Sequence, residues 1–237
     1  MDREVARLAI VCGTYRLPAG IVERGERRRV DGPRGSIEVI DDGTVWWSNR
    51  HGLDERTPVH RVDHATNMAA LATGCDRALA IGSCGSLHRA TEVGTVLLLD
   101  DTFAPWTTPT IFDDARAESM PGFDLAWRAR VLEAWRLATS TSLVDGGTYV
   151  QSPGPRFETP AEIRFYATVG DVVGMTLAAE MVVAAELGIA HAAIVMVDNL
   201  ANGIGDLPLT KTEFEANVAA NRDRLWIDVE AVAARLS

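Results

Sequence analysis

Short, almost unbroken apolar runs alternate along this chain with stretches of helical spacing, and turn residues punctuate both. Residues 8–12 are apolar without interruption and stop at Gly13-Thr14, which predicts a buried strand followed by a loop. Residues 36–50 carry Ile37, Val39, Ile40, Val45, Trp46 and Trp47 around Asp41-Asp42-Gly43, the pattern of an antiparallel hairpin. Apolar residues recur at helical spacing over 63–73, with Gly74 placed to end that helix. Residues 78–81 predict a strand running into the turn-like Gly82-Ser83-Cys84-Gly85-Ser86. Residues 95–99 predict another, and 124–138 a helix turned inward through Val131, Leu132 and Trp135. Thr159-Pro160-Ala161-Glu162 is a helix start, with a Thr cap, Pro at the first helical position and Glu three residues after the cap. A short strand over 171–173 and a helix over 177–187 closed by Gly188 follow. The nearly continuous apolar run over 192–197 is what a strand covered on both faces requires. Thr212 and Glu215 repeat the capping pattern and open a long C-terminal helix with Phe214, Val218, Leu225, Val229 and Val232 inward. Strands alternating with helices predict an α/β fold with a mixed or largely parallel central sheet flanked by helices.

Composition narrows the class. No Gly/Ser linker, long Pro-rich run or repeat at a solenoid period divides the 237 residues, so a single domain over 1–237 is expected. The formal charge of −10, with no block of basic residues, argues against nucleic acid or an anionic membrane surface as partner. Any phosphate handled here must therefore meet a locally cationic site. No apolar stretch approaches the roughly 20 residues that span a bilayer, and the opening residues read as the lead into a first strand, not as a signal peptide. Cys12, Cys75 and Cys84 are odd in number and lack C-x-x-C spacing. They read as reduced, packed cysteines, neither disulfide nor metal ligands, and the protein as cytoplasmic.

Candidate chemistry concentrates between Gly147 and Gly205, in polar clusters at strand ends and helix starts, where open α/β sheets build ligand sites. Phe157 can stack on a base, and Glu158 can accept from ring N–H groups such as N1–H of a 6-oxopurine. Packed alone, the same pair is a core aromatic and an acid near a helix N-terminus. Thr176 is either a plain N-cap or a hydroxyl that holds phosphate beside the helix start, with Met175 against a ribose. Asp198-Asn199 ends a buried strand, where polar groups need a network or a ligand. Asn199 can hydrogen-bond N7 and the 6-position of a purine and stabilise charge as the glycosidic bond breaks. Upstream, Gly13-Thr14 offers amides and a hydroxyl to an anion, or simply makes a turn. Arg50-His51 offers a guanidinium fork and a second donor, and the amides of Gly82-Ser83-Cys84-Gly85-Ser86 can bind an anion.

In order, G-T, R-H-G, G-S-C-G-S-L, G-P-R-F-E-T-P-A-E, G-M-T-x-x-x-E-M and V-D-N resemble the trimeric purine nucleoside phosphorylase family, in the branch that includes methylthioadenosine and methylthioinosine phosphorylases. The resemblance covers roughly residues 8–225. It implies a nucleoside phosphorylase-like domain, assembled as a homotrimer with sites near subunit interfaces, and phosphorolysis of a purine nucleoside to free base and ribose 1-phosphate or a 5-modified analogue. Inorganic phosphate is then co-substrate, and no metal or organic cofactor is implied. By motif position Thr14, Arg50, His51, Ser83 and Thr176 would hold phosphate, Met175 would lie by the ribose, and Phe157, Glu158 and Asn199 would hold the base. Asn199, Thr176 and His51 would be the catalytic set. Adenine-selective members of the family carry a carboxylic acid where Asn199 falls, so the amide with Glu158 resembles the 6-oxopurine enzymes. A one-residue shift would put Asp198 there and reverse the preference.

Three departures bear on this reading. Tyr15 stands where the family usually has a glycine, so it is expected to crowd or reshape the phosphate loop. Residues 102–123 match the family poorly. No His lies between Leu200 and Trp226, where 6-oxopurine enzymes acting on ordinary nucleosides place one for the 5′-hydroxyl, which points to a 5′-modified substrate such as 5′-methylthioinosine. The alternatives are a methylthioadenosine phosphorylase, a nucleoside hydrolase in which water replaces phosphate, and a catalytically silent purine-binding homologue.

Overall fold

A computed structural model describes residues 7–107 and 109–237; the opening residues 1–6, read above as the lead into the first strand, lie outside this range. In chain order the elements are β1 (Arg7–Cys12), α1 (Ala19–Arg24), β2 (Glu26–Gly32), β3 (Gly35–Asp41), β4 (Val45–Asn49), α2 (His64–Leu71), β5 (Cys75–Ser86), β6 (Val96–Leu98), β7 (Asp101–Phe103), α3 (Leu125–Ala138), β8 (Leu143–Asp145), β9 (Thr148–Gln151), α4 (Pro160–Tyr166), β10 (Val172–Gly174), α5 (Leu177–Leu187), β11 (Ala190–Leu200) and α6 (Lys211–Leu236). All eleven strands among the described residues join one mixed sheet, in the order β2-β3-β4-β1-β5-β10-β9-β7 with a branch β5-β11-β6-β8. The expected β3–β4 hairpin is antiparallel, with Ile40 opposite Trp47. No helix among the described residues is long and apolar enough to cross a membrane.

The apolar runs of β1 and β11 are continuous because both faces are covered. Leu8, Ile10 and Cys12 of β1 join Ala192, Ile194 and Met196 of β11 under α3 and α6, against Trp127, Trp135, Leu225 and Trp226. The alternate residues Ala9 and Val11 face α2 and α5 through Met68, Leu71 and Val183, while Ala193, Val195 and Val197 pack on Leu177 and Met181. Strand periodicity of two thus sends successive residues of β11 to opposite layers.

Local sequence explains most helix ends. Thr159 and Glu162 form the full reciprocal capping box, and Gly188 closes α5 at φ 69°, where a side chain would be strained. Two expectations are corrected. The cap of α6 is Thr210, whose side chain accepts from the Glu213 amide, and not Thr212. Gly74 does not take a left-handed C′ conformation; it is small because the ring of Trp46 packs where its Cβ would stand.

The longest correction concerns β5. Instead of ending at Ile81 in a turn, it stays extended through Ser86, paired with β11 along that length. Its other edge changes partner. β1 accompanies it as far as Ala80, and β10 joins antiparallel only at Gly85 and Ser86. Between them, over residues 81–84, the sheet has a notch at the carboxyl end of β1. Gly82 and Gly85 serve close packing there: an added Cβ would lie 2.9 Å from Leu177 or 3.0 Å from Asn199 Nδ2.

Candidate active site at the sheet notch

A cavity of about 710 Å³ opens at the notch. Thr14, Arg50, His51, Ser83, Phe157, Glu158, Met175, Thr176 and Asn199 all line it; Asp198 does not. Residues separated by up to 185 positions therefore share one chamber because β1, β4, β5, β10 and β11 end around it.

Arg50 follows the last residue of β4, and its side chain is 2% exposed. Its Nη2 donates to the Val11 carbonyl at 2.9 Å and its Nη1 to the Ile81 carbonyl at 3.1 Å, supplying partners to backbone that the notch leaves without a ladder. Its Nε and Nη2 also form a bidentate pair with Glu180 of α5. Burial is the largest influence and would raise the Glu180 pKa, but the charge and hydrogen bonds of Arg50 together with His64, 3.6 Å away, outweigh it and hold the carboxylate down at about 2. Gly13 must lack a side chain because Arg50 Nη1 occupies the space of its Cβ.

His51 was expected to donate beside Arg50. Burial first, and the Arg50 charge second, lower its pKa to about 4, so the ring is neutral near pH 7. Nδ1 lies 2.9 Å from the Thr57 carbonyl and carries the proton in that neutral ring, leaving Nε2 as an acceptor. Such a nitrogen suits the O–H of a protonated phosphate. Thr176 occupies the N-cap position of α5 without a side-chain cap bond, so its hydroxyl is not spent on the helix. The helix amides are less available than the sequence implied: Tyr149 takes the Thr176 N–H at 3.2 Å and Gln151 the Ala179 N–H at 3.0 Å. Arg16, Arg56, Lys211 and Arg222 also line the cavity, which makes it locally cationic in an acidic chain.

On the far side, Glu158 is buried and accepts from the Ser152 hydroxyl through Oε1, leaving Oε2 for another donor. Burial raises its pKa, and the Ser152 hydrogen bond opposes the rise. Phe157 is 41% exposed and meets Phe214 of α6 edge-on, with ring centroids 5.6 Å apart. Val218, Ala219 and Arg222 continue that wall along α6.

Asp198 and Asn199 face opposite sides of β11, continuing the alternation of Met196 and Val197, and the pairing with β5 is bulged at this point. Val197 pairs with Cys84 and Asn199 with Gly85, so Asp198 is an extra residue in the ladder. Its carboxylate is fully buried towards α6, accepting from the Tyr15 hydroxyl and, at 2.9 Å, from Asn221 Nδ2. Burial raises the Asp198 pKa against these hydrogen bonds. Asn199 faces the cavity, its Nδ2 donating to the Leu200 carbonyl at 2.9 Å and its Oδ1 open. Tyr15 does not crowd the cavity; it is buried in the α6-side core. The sequence reading missed Glu180, Ser152, Gln151, Tyr149 and the aromatic role of Phe214. Glu180 and Gln151 carried a signal, being polar residues inside otherwise apolar segments, and Glu180 is the E of the quoted G-M-T-x-x-x-E-M motif, which was assigned no role.

Fold and cavity together define an α/β protein of the nucleoside phosphorylase type. A methylthioadenosine phosphorylase from Schistosoma mansoni, solved with adenine, superposes with a TM-score of 0.83 at 20% identity over 98% of this chain and 92% of its own. The chain belongs to the phosphorylase superfamily, whose family model matches residues 34–233. Among its relatives, a "probable 6-oxopurine nucleoside phosphorylase" of Archaeoglobus fulgidus is 32% identical over 95% of both chains. A "probable S-methyl-5′-thioinosine phosphorylase" of Methanopyrus kandleri is 34% identical over 85% of this chain and 82% of its own.

Proposed function

We propose that the chain is a purine nucleoside phosphorylase that prefers 6-oxopurines, inosine or 5′-methylthioinosine. The observation that carries this reading is the alternation of β11, which turns the Asn199 amide to the cavity and buries the Asp198 carboxylate on the opposite side. An amide accepts from N7–H of a departing 6-oxopurine, and Glu158 Oε2 accepts from its N1–H. Relatives named for 6-oxopurine and methylthioinosine substrates agree with it.

In this mechanism phosphate lies among Thr14, Arg50, His51, Ser83 and Thr176. One phosphate oxygen forms a bond to C1′ as the C1′–N9 bond breaks, and the bonding pair passes into the purine. As that charge builds N7 takes a proton from water, Asn199 Oδ1 accepts the resulting N7–H, and Glu158 fixes the ring through N1–H. Neutral His51 accepts a hydrogen bond from the phosphate O–H through Nε2, and the proton that phosphate gives up to solvent on becoming the sugar ester balances the one the purine takes up at N7. The products are free base and ribose 1-phosphate or its 5-modified analogue. The apolar surfaces of Phe214 and Val218 offer an uncharged 5′ group a wall, which favours methylthioinosine. Half-exposed Trp106 and Phe165, packed with Phe103 and Tyr166, offer an aromatic face to a subunit interface, which the homotrimer implied by the family resemblance would need.

The test is a panel of inosine, methylthioinosine and methylthioadenosine with and without phosphate, quantifying base and sugar phosphate. Phosphate-dependent release of hypoxanthine is expected. Turnover indifferent to phosphate would establish a hydrolase, and clear preference for methylthioadenosine would sink the Asn199 argument. Arg50→Ala should sharply raise the phosphate requirement.

A further inference from the structure

Asp198 has no cationic partner among the described residues, although it is fully buried. Two polar side chains hold it instead, the Tyr15 hydroxyl and Asn221 Nδ2 at 2.9 Å, and the cavity-lining Ser83 lies near enough to lower its pKa. Its backbone carbonyl accepts from Asn217 Nδ2 at 2.8 Å. A buried carboxylate without a countercharge is a costly way to fill a core, and an apolar residue would stabilise the site as well. Its position suggests what it does. Tyr15 follows Thr14 at the anion end; Asp198 precedes Asn199 at the base end; Asn217 and Asn221 stand on α6 one residue from the cavity-lining Val218 and Arg222. The phenol is a rigid lever with two rotatable bonds, so a shift of the Gly13-Thr14 turn moves the carboxylate, and with it the strand end that carries Asn199.

We infer that Tyr15, Asp198 and Asn221 form a brace that couples the two ends of the cavity, so that phosphate and purine bind cooperatively. Its ligands are those of the phosphorylase reading, on which it rests. Tyr15 and Asp198 are positioning residues, acting through Thr14, Ser83 and Asn199.

The experiment is calorimetric titration of hypoxanthine with and without saturating inorganic phosphate, a pair that cannot react because no sugar is present. In the wild-type protein phosphate should change hypoxanthine affinity fivefold or more, and hypoxanthine should change phosphate affinity by the same factor. Tyr15→Phe and Asp198→Asn should each bring the factor to within about twofold of unity while both ligands still bind singly, and the double variant should do no more than either. Asn221→Ala, at a half-buried helix position, should reduce the factor in part and covers the case in which a core variant does not fold. A merely structural role would weaken each ligand and leave the factor intact; that result, or a factor near unity in the wild-type protein, overturns the brace. Coupled binding in a protein that shows no phosphate-dependent nucleoside turnover would refute phosphorolysis and leave the brace standing.

Discussion

Replacing Glu180 by Gln tests how the notch is held. Both side chains of the Arg50–Glu180 pair are at most 2% exposed. Arg50 spends donors on the Val11 and Ile81 carbonyls as well as on the carboxylate, so it cannot swing to solvent without orphaning backbone. Glu180→Gln keeps the shape, removes the countercharge and turns an N–H₂ towards the guanidinium. Breaking a buried pair in this way costs about 3–5 kcal/mol. For a chain of this size, about 2–4 °C per kcal/mol gives a melting temperature lower by roughly 6–20 °C. Denaturant unfolding monitored by tryptophan fluorescence, alongside thermal melts, reads both quantities. Arg50→Met should cost a similar amount, because it leaves the buried carboxylate with only His64 Nδ1, 3.6 Å away, beside it. Arg50→Met with Glu180→Leu leaves no buried charge, so the double variant should be more stable than the sum of the single losses by about 3 kcal/mol. Phosphate should raise the melting temperature of Glu180→Gln more than that of the wild type, since an anion replaces the missing charge. A Glu180→Gln variant within about 1 kcal/mol of wild type, or strict additivity in the cycle, would refute the reasoning.

Asn199→Asp should raise the methylthioadenosine to methylthioinosine ratio of kcat/KM by about tenfold or more, the worth of one charge-assisted hydrogen bond; an unchanged ratio counts against the placement of the base. Gly85→Ala puts a methyl 3.0 Å from Asn199 Nδ2 and 3.4 Å from Val173 Cγ1, and should lower kcat by roughly 10–1,000-fold while costing about 1–3 kcal/mol of stability. Acid should destabilise the fold through His51 and through His191, whose ring nitrogens have no partners among the described residues as it stacks on Phe123; burial lowers both from 6.5 to about 4. The unfolded chain then binds protons that the folded one refuses, so stability is complete above about pH 6.5 and falls as the pH drops towards 4, by at most roughly 3 kcal/mol per histidine. Unfolding midpoints between pH 7.5 and 4.5 check this, and His191→Gln should flatten the slope.

Much of the layout was legible because apolar runs and caps are local. The strands β1 and β11, the Thr159–Glu162 box, the Gly188 stop and the clustering of polar residues at strand ends all follow from neighbours in sequence. Other features depend on partners far along the chain. β2 reads E-R-R-R-V-D-G and is exposed over most of its length at a sheet edge, so it carries no apolar signal. T-K-T-E-F-E contains two capping frames, and the chain enters the helix at the first, where Thr210 is extended. Glu180 sits in an apolar helix, and its role emerges only when β4 delivers Arg50 from 130 residues away. Tyr15 looked like an intruder in a ligand loop until strand parity showed which way Asp198 faces.

That parity makes residue count a determinant of specificity. If one residue were lost at the β11 bulge, Asn199 would follow Val197 in regular alternation and turn into the α6 layer, and the leucine after it would confront the base. The same side chains would be present and the same fold would form, but the purine would meet a hydrocarbon where it needs an amide. At this strand end, length is under chemical constraint as tightly as composition.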